Sequence, residues 1–131
     1  MFIAVYVAEK AAALALPDRG DLVLDLTKFT ADLWHFWRTN PAGGAFRALI
    51  AEAQASAAAL DALRSKFLPE RLEPLRTIFE RAVERGEIQA QDVEDRVALW
   101  AGFNWFRLLT NQIQDDDQYI HRIMTLIGCR G

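Results

Sequence analysis

Val97-Ala98-Leu99-Trp100-Ala101-Gly102-Phe103-Asn104-Trp105-Phe106-Arg107-Leu108-Leu109 is the stretch on which the fold turns. Placed on a helix, these residues are apolar around nearly the whole circumference. Such a helix is buried on more than one side. In a small domain, one side is expected to face the chain's own core and the other a second subunit. Asp92 is a suitable N-cap for it, with Asp95 at the third helical position. Downstream, Asp115-Asp116-Asp117 places negative charge at the start of a last helix, where the helix dipole favours it. That helix carries Tyr119, Ile120, Ile123, Met124 and Ile127.

Helix signals also run upstream. Leu22, Leu26, Phe29, Leu33 and Phe36 keep the spacing of a helical stripe, broadened by Val23, Trp34 and Trp37. Pro17 and the turn residues Asp18 to Asp21 precede it. Thr39-Asn40-Pro41 ends it, because the residue before proline avoids the α region. Gly43-Gly44 loosens the next start, and a short helix over about 42–54 carries Phe46, Leu49, Ile50 and Ala53. Ser56 caps a long helical stretch reaching Arg85, with Leu60, Leu63, Phe67, Leu68, Leu72, Leu75, Phe79 and Val83 in period. Pro69 and Pro74 interrupt it, so a kink or a break is expected between residues 68 and 74. Gly86 is a well-placed C-cap. Residues 2–16 read as a further apolar, alanine-rich helix. The expected fold is an all-α bundle of six to seven helices without a credible strand, and residues 1–131 form one domain.

The totals narrow the function. The 131 residues are enough to bury a core without disulfides or metals. A hydrophobic fraction of 52% beside 25% charged residues argues against disorder. No apolar run is long enough to span a bilayer, and the N-terminal stretch, with Glu9 and Lys10 inside it, does not read as a signal peptide. The lone Cys129 has no internal disulfide partner, and a reducing cytoplasm is the expected compartment. A net charge of −3 with scattered basic residues argues against nucleic acid and against a membrane surface as partners.

No catalytic constellation, cofactor motif or metal motif is present. His35 and His121 lie far apart, and the Asp115–Asp117 run lacks the glycine turn and bidentate glutamate of a calcium loop. Arg107 is the one charge inside the apolar helix. It pairs with an acidic turn of its own or a partner subunit, or it marks an exposed helix edge. The chain is 11% aromatic, concentrated in residues 29–37 and 100–106. These rings either pack as an ordinary core or line a hollow, ligand-binding one.

Several segments together resemble the C-terminal domain of TetR-family regulators, in the subgroup with a proline-interrupted central helix. They are Pro17-Asp18-Arg19-Gly20-Asp21-Leu22, Leu49-Ile50-Ala51-Glu52-Ala53, Phe67-Leu68-Pro69-Glu70-Arg71, Arg81-Ala82-Val83-Glu84-Arg85-Gly86-Glu87-Ile88, and Ala101-Gly102 followed by Arg107-Leu108-Leu109. The resemblance implies an all-helical domain whose last two long helices pair with those of a second subunit, and whose core holds an effector. It also implies an N-terminal helix-turn-helix bundle. This sequence has no such segment, so it is expected to be a fragment or a natural variant without the DNA-binding head.

These readings give three competing functions. The first is a ligand-sensing and dimerisation domain that takes a small hydrophobic effector. The second is a ligand-free helical dimerisation module. The third, a small enzyme, has no acid, base or nucleophile to name. A homodimer is expected through Trp100, Trp105, Ile120, Ile123, Met124 and Ile127. An effector cavity is expected between the helices of residues 22–38, 57–85 and 92–110. Its lining would be Phe29, Leu33, Trp37, Phe67, Leu72, Phe79, Phe103, Asn104 and Phe106. Asn104 needs a partner if buried, either a ligand group or a hydrogen bond to the backbone or across the dimer. No buried cation is available for an acidic effector, so a neutral or weakly polar one is expected.

Overall fold

The computed structural model describes residues 16–130. In chain order the helices are α1 (Leu22–Thr39), α2 (Pro41–Ala53), α3 (Ala57–Ala62), α4 (Leu68–Glu84), α5 (Val93–Leu109) and α6 (Asp117–Ile127). A π-helical turn, Leu63–Phe67, joins α3 to α4, and a 3₁₀ turn, Ala90–Asp92, leads into α5. There is no strand among the described residues. Because α3, the π turn and α4 run on without interruption, the described residues hold five continuous helical segments. The expected six to seven is slightly high. The expected helix over 2–16 lies outside the described residues, except for Leu16.

Local chemistry accounts for most of the boundaries. Asp21 caps α1 by accepting the Leu24 N–H at 2.9 Å. Asn40 ends α1 in an extended conformation and caps α2, its Oδ1 accepting the Ala42 N–H at 2.8 Å. Ser56 caps α3, and Asp116 caps α6. Asp92 stands before α5, but its side chain makes no capping bond, because the 3₁₀ turn occupies that end. At the end of α4, Gly86 adopts φ +80°, and the Glu87 N–H reaches back to the Ala82 carbonyl at 2.9 Å. A left-handed residue there satisfies carbonyls the helix leaves open.

Neither proline breaks the chain. The departure from α geometry falls just before Pro69, where the Leu68 N–H bonds to the Leu63 carbonyl. A proline ring collides with the carbonyl four residues earlier in a regular helix, and a wider π turn relieves that crowding. Pro74 is carried inside α4.

Helix α1 is the centre of the bundle, packed against α2, α4 and α6. Its stripe of Leu22, Leu26, Phe29, Leu33, Trp34, Phe36 and Trp37 is buried, as the spacing predicts. Leu75, Ile78, Phe79 and Ala82 of α4 face it and are fully buried. Full burial of one such large side chain stabilises the fold by about 1.5–3 kcal/mol. On the surface, Arg76 bridges α4 to α5 through two bonds to Glu94, at 2.8 and 3.0 Å. That guanidinium holds the Glu94 carboxyl below the usual carboxylate range. A depressed carboxylate pKa means the bridge contributes at neutral pH and is lost as acid protonates Glu94.

The corner between α1 and α2 depends on Gly43. A Cβ there would collide with the Trp37 carbonyl oxygen and lie 2.7 Å from the Trp37 Cα, inside the backbone of the preceding helix. Gly43 is therefore required by close approach rather than as a loosened helix start. Gly43→Ala is expected to destabilise the fold by about 1–3 kcal/mol, the usual cost of forced overpacking. A urea denaturation midpoint equal to that of the native chain would contradict this. Gly44 serves as the control, because a Cβ at that position would face open space. Gly44→Ala should leave the midpoint unchanged or raise it.

Candidate functional site: a flank cleft and an uncovered helix face

The polar interior decides where a ligand is not needed. The indole N–H of Trp34, on α1, donates to Asn104 Oδ1 on α5 at 2.5 Å. Asn104 Nδ2 donates to the Trp100 carbonyl at 2.8 Å. The indole N–H of Trp100 donates back to Thr30 Oγ1 at 2.9 Å, and Thr30 donates to the Met124 sulfur at 3.4 Å. Helices α1 and α5 thus exchange indole hydrogen bonds, and α6 joins through Met124. Asn104 has found its partners inside the chain, in a side chain and in the backbone.

Rings meet one another between α1 and α5, and from α1 across α2 to the π turn. Trp34 stacks on Phe103 with centroids 5.9 Å apart, and Phe29 meets Trp100 at the same separation. Trp37 stacks on Phe46, and Phe46 meets Phe67 at 5.5 Å. Phe29, Leu33, Trp37, Phe67, Phe79 and Asn104 are buried, while Leu72 and Phe103 are half-buried against the core. Phe106 is 61% exposed and stands outside the bundle.

A cleft of about 440 Å³ lies one layer away, between α2 and the continuous α3–π–α4 helix. Leu49, Ala53, Ala59, Ala62, Leu63 and Phe67 form its apolar walls, and Glu52, Lys66 and Glu70 supply its polar groups. Phe67 is the residue it shares with the sequence-based set. Two features open it. Every residue of α3 is exposed, so this helix stands off the core, and the alanines at 53, 59 and 62 project little into the gap. The π turn contributes three of the lining residues, Leu63, Lys66 and Phe67. Pro69 marks this place in the sequence, but a proline signals a change in helix geometry and not the side on which space opens. A smaller hollow of about 210 Å³ is lined by Trp37, Arg38, Gly43, Gly44, Arg47, Leu108, Asn111 and Ile113.

The second notable surface lies on α5 and α6. Leu99 is 60% exposed, Phe106 61%, Leu109 44% and, on α6, Leu126 71%. Leu99, Gly102, Phe106 and Leu109 recur at helical spacing along one side of α5. Of the residues expected to meet a partner, Trp100, Ile120, Met124 and Ile127 are buried in this chain's own core. Trp105 and Ile123 are half-buried and pack against that core. The outward-facing apolar residues are therefore a different set from those expected. Arg107 is half-buried and forms no ion pair with an acidic residue of its own chain among the described residues. Its guanidinium lies over the Tyr119 ring at 4.8 Å and near Trp34 at 5.8 Å.

Several of the remaining titratable groups have structural partners. Asp116 caps α6, and Asp115 pairs with Arg38, with His35 Nδ1 at 3.7 Å from the same carboxylate. Glu87 is buried, accepts the Leu22 N–H at 3.2 Å and takes Arg85 at 2.6 Å, tying the end of α4 to the start of α1. Buried Asp25 accepts the Arg19 N–H at 2.8 Å. Cys129 is exposed. Among the described residues, no three His, Cys, Asp or Glu side chains are grouped to hold a metal ion. No described helix is long and apolar enough to cross a membrane.

The fold is thus a helical bundle with an apolar cleft on its flank and exposed apolar residues on its last two helices. Residues 16–127 match the family model of the tetracyclin repressor-like C-terminal domain, and the chain belongs to that family. No curated protein matches it closely.

Proposed function

We propose that this chain is the ligand-sensing and dimerisation domain of a TetR-like transcriptional regulator. It takes a small hydrophobic effector in the cleft beside the π turn and associates through the outward face of α5 and α6. The cleft carries the sensing half of this reading. Its volume and apolar walls suit a small organic ligand, and its polar groups are few. The chain is regulatory and not enzymatic, acts in the cytoplasm, and does not itself bind DNA, being acidic at −3. Contact with an operator would run through a helix-turn-helix segment and not through this domain.

The ring contacts between α1 and α5 favour a second reading, a dimerisation module without a ligand. Native mass spectrometry of protein purified from cells separates the two. The sensing reading expects a small-molecule adduct that organic solvent releases and that Ala62→Phe, which fills the cleft, abolishes. A bare protein mass, with no thermal shift from a panel of hydrophobic compounds, would leave the ligand-free module.

A further inference from the structure

We infer that the smaller hollow, at the corner between α1 and α2, is a second ligand site that takes a small organic acid. It holds about 210 Å³, below the roughly 300–1,000 Å³ of drug-sized sites, so its ligand is small. Two of its lining residues are arginines, Arg38 at the end of α1 and Arg47 on α2, and no carboxylate lines it. Arg38 is matched by Asp115, which lies outside the lining. Arg47 has no acidic partner among the described residues. It donates to the neutral Asn111 Oδ1 at 3.3 Å, and a guanidinium has further N–H donors to give. With Asp115 counted against Arg38, the charge of Arg47 is left uncompensated at the hollow. Asn111 takes the left-handed φ of +58° just past α5, which brings its amide beside Arg47. A Cβ at Gly44 would meet nothing within 4 Å, so packing does not call for a glycine there, and glycine is the weaker helix former. Its bare backbone keeps the hollow open. Trp37 and Leu108 are apolar walls, so the ligand carries an apolar body beside its charge. A planar carboxylate matches the fork of a guanidinium. Both arginines are exposed, so the lack of a buried cation in the sequence did not exclude an acid. The hollow shares no lining residue with the flank cleft, and the two sites stand or fall separately.

The test titrates benzoate, benzyl alcohol, benzylamine and inorganic phosphate calorimetrically into the full chain. The first three share a ring and differ in the charge of the head, and phosphate is an anion without an apolar body. Benzoate is expected to bind about fivefold tighter than benzyl alcohol, the upper range of a part-exposed ion pair, with benzylamine and phosphate weaker still. Arg47→Met keeps the stem and removes the charge, so it should erase that advantage and leave benzyl alcohol unchanged. Gly44→Leu, which fills the hollow, should abolish binding of both. Arg47 and Gly44 are exposed, so the fold should tolerate these changes, and circular dichroism of each variant checks this. Ala62→Phe, in the flank cleft, should leave benzoate binding as it is. Phosphate binding as tightly as benzoate would overturn the organic acid in favour of any small anion. Equal binding of benzoate and benzyl alcohol, benzoate binding that survives both Arg47→Met and Gly44→Leu, or no binding of any probe would overturn the site. Benzoate binding lost in Ala62→Phe alone would move the acid to the flank cleft and overturn the hollow as well.

Discussion

Asn104→Leu is expected to destabilise the fold by about 1–3 kcal/mol, although leucine nearly matches asparagine in size. The cost comes from the partner left behind. Trp34 is fully buried, and its indole N–H donates to Asn104 Oδ1. Without that oxygen the donor stays desolvated and unsatisfied. The Trp100 carbonyl loses a bond as well. Removing the orphan should recover part of the loss, so Trp34→Phe in the Asn104→Leu background should cost less than the two single changes added together. Urea denaturation of the four proteins measures this. An Asn104→Leu midpoint equal to the native one would show that the indole exchange does not hold α1 to α5.

Leu99→Glu with Phe106→Glu is expected to abolish self-association while leaving the helical content intact. Both side chains are largely exposed in the single chain, so neither glutamate needs to enter the core. Contiguous apolar surface of this kind is uncommon on a monomer. In a self-complementary contact each substitution appears twice, so four unpaired carboxylates would be buried. Unpaired buried charge costs several kcal/mol, and the dissociation constant should rise by about 100-fold or more. The same paired substitution at Ile120 and Met124 would act differently. Those residues are buried in the chain's own core, and charging them should unfold it. Circular dichroism beside sizing separates the two outcomes.

The difference between these two pairs reflects what was legible in the sequence. The stripe of α1 is one-sided, so spacing alone locates Leu22, Leu26, Phe29, Leu33 and Phe36 in the core. Helix α5 is apolar all round, and periodicity has no phase there. It therefore could not tell that Trp100 and Asn104 turn inward while Leu99 and Phe106 turn outward. The caps at Asp21, Ser56 and Gly86 were readable because each rests on one local rule. The role of Gly43 was not, because it depends on how closely α2 passes the Trp37 carbonyl. The prolines marked the right region of the chain. They said nothing of a π turn, nor that a cleft would open between it and α2. The acids of 115–117 looked like a solvated helix start, and Asp116 is the cap. That Asp115 reaches Arg38 on α1 is a tertiary fact without a local signal.

Regulation by this domain, as proposed, requires that it work as a pair through the outward face of α5 and α6. Sedimentation equilibrium of the unmodified chain at micromolar concentration tests this most directly. The expected species has twice the 14.8 kDa chain mass and reverts to the single-chain mass in the Leu99→Glu, Phe106→Glu protein. A single-chain mass for the unmodified protein across that range, or a pair that survives both glutamates, would contradict it.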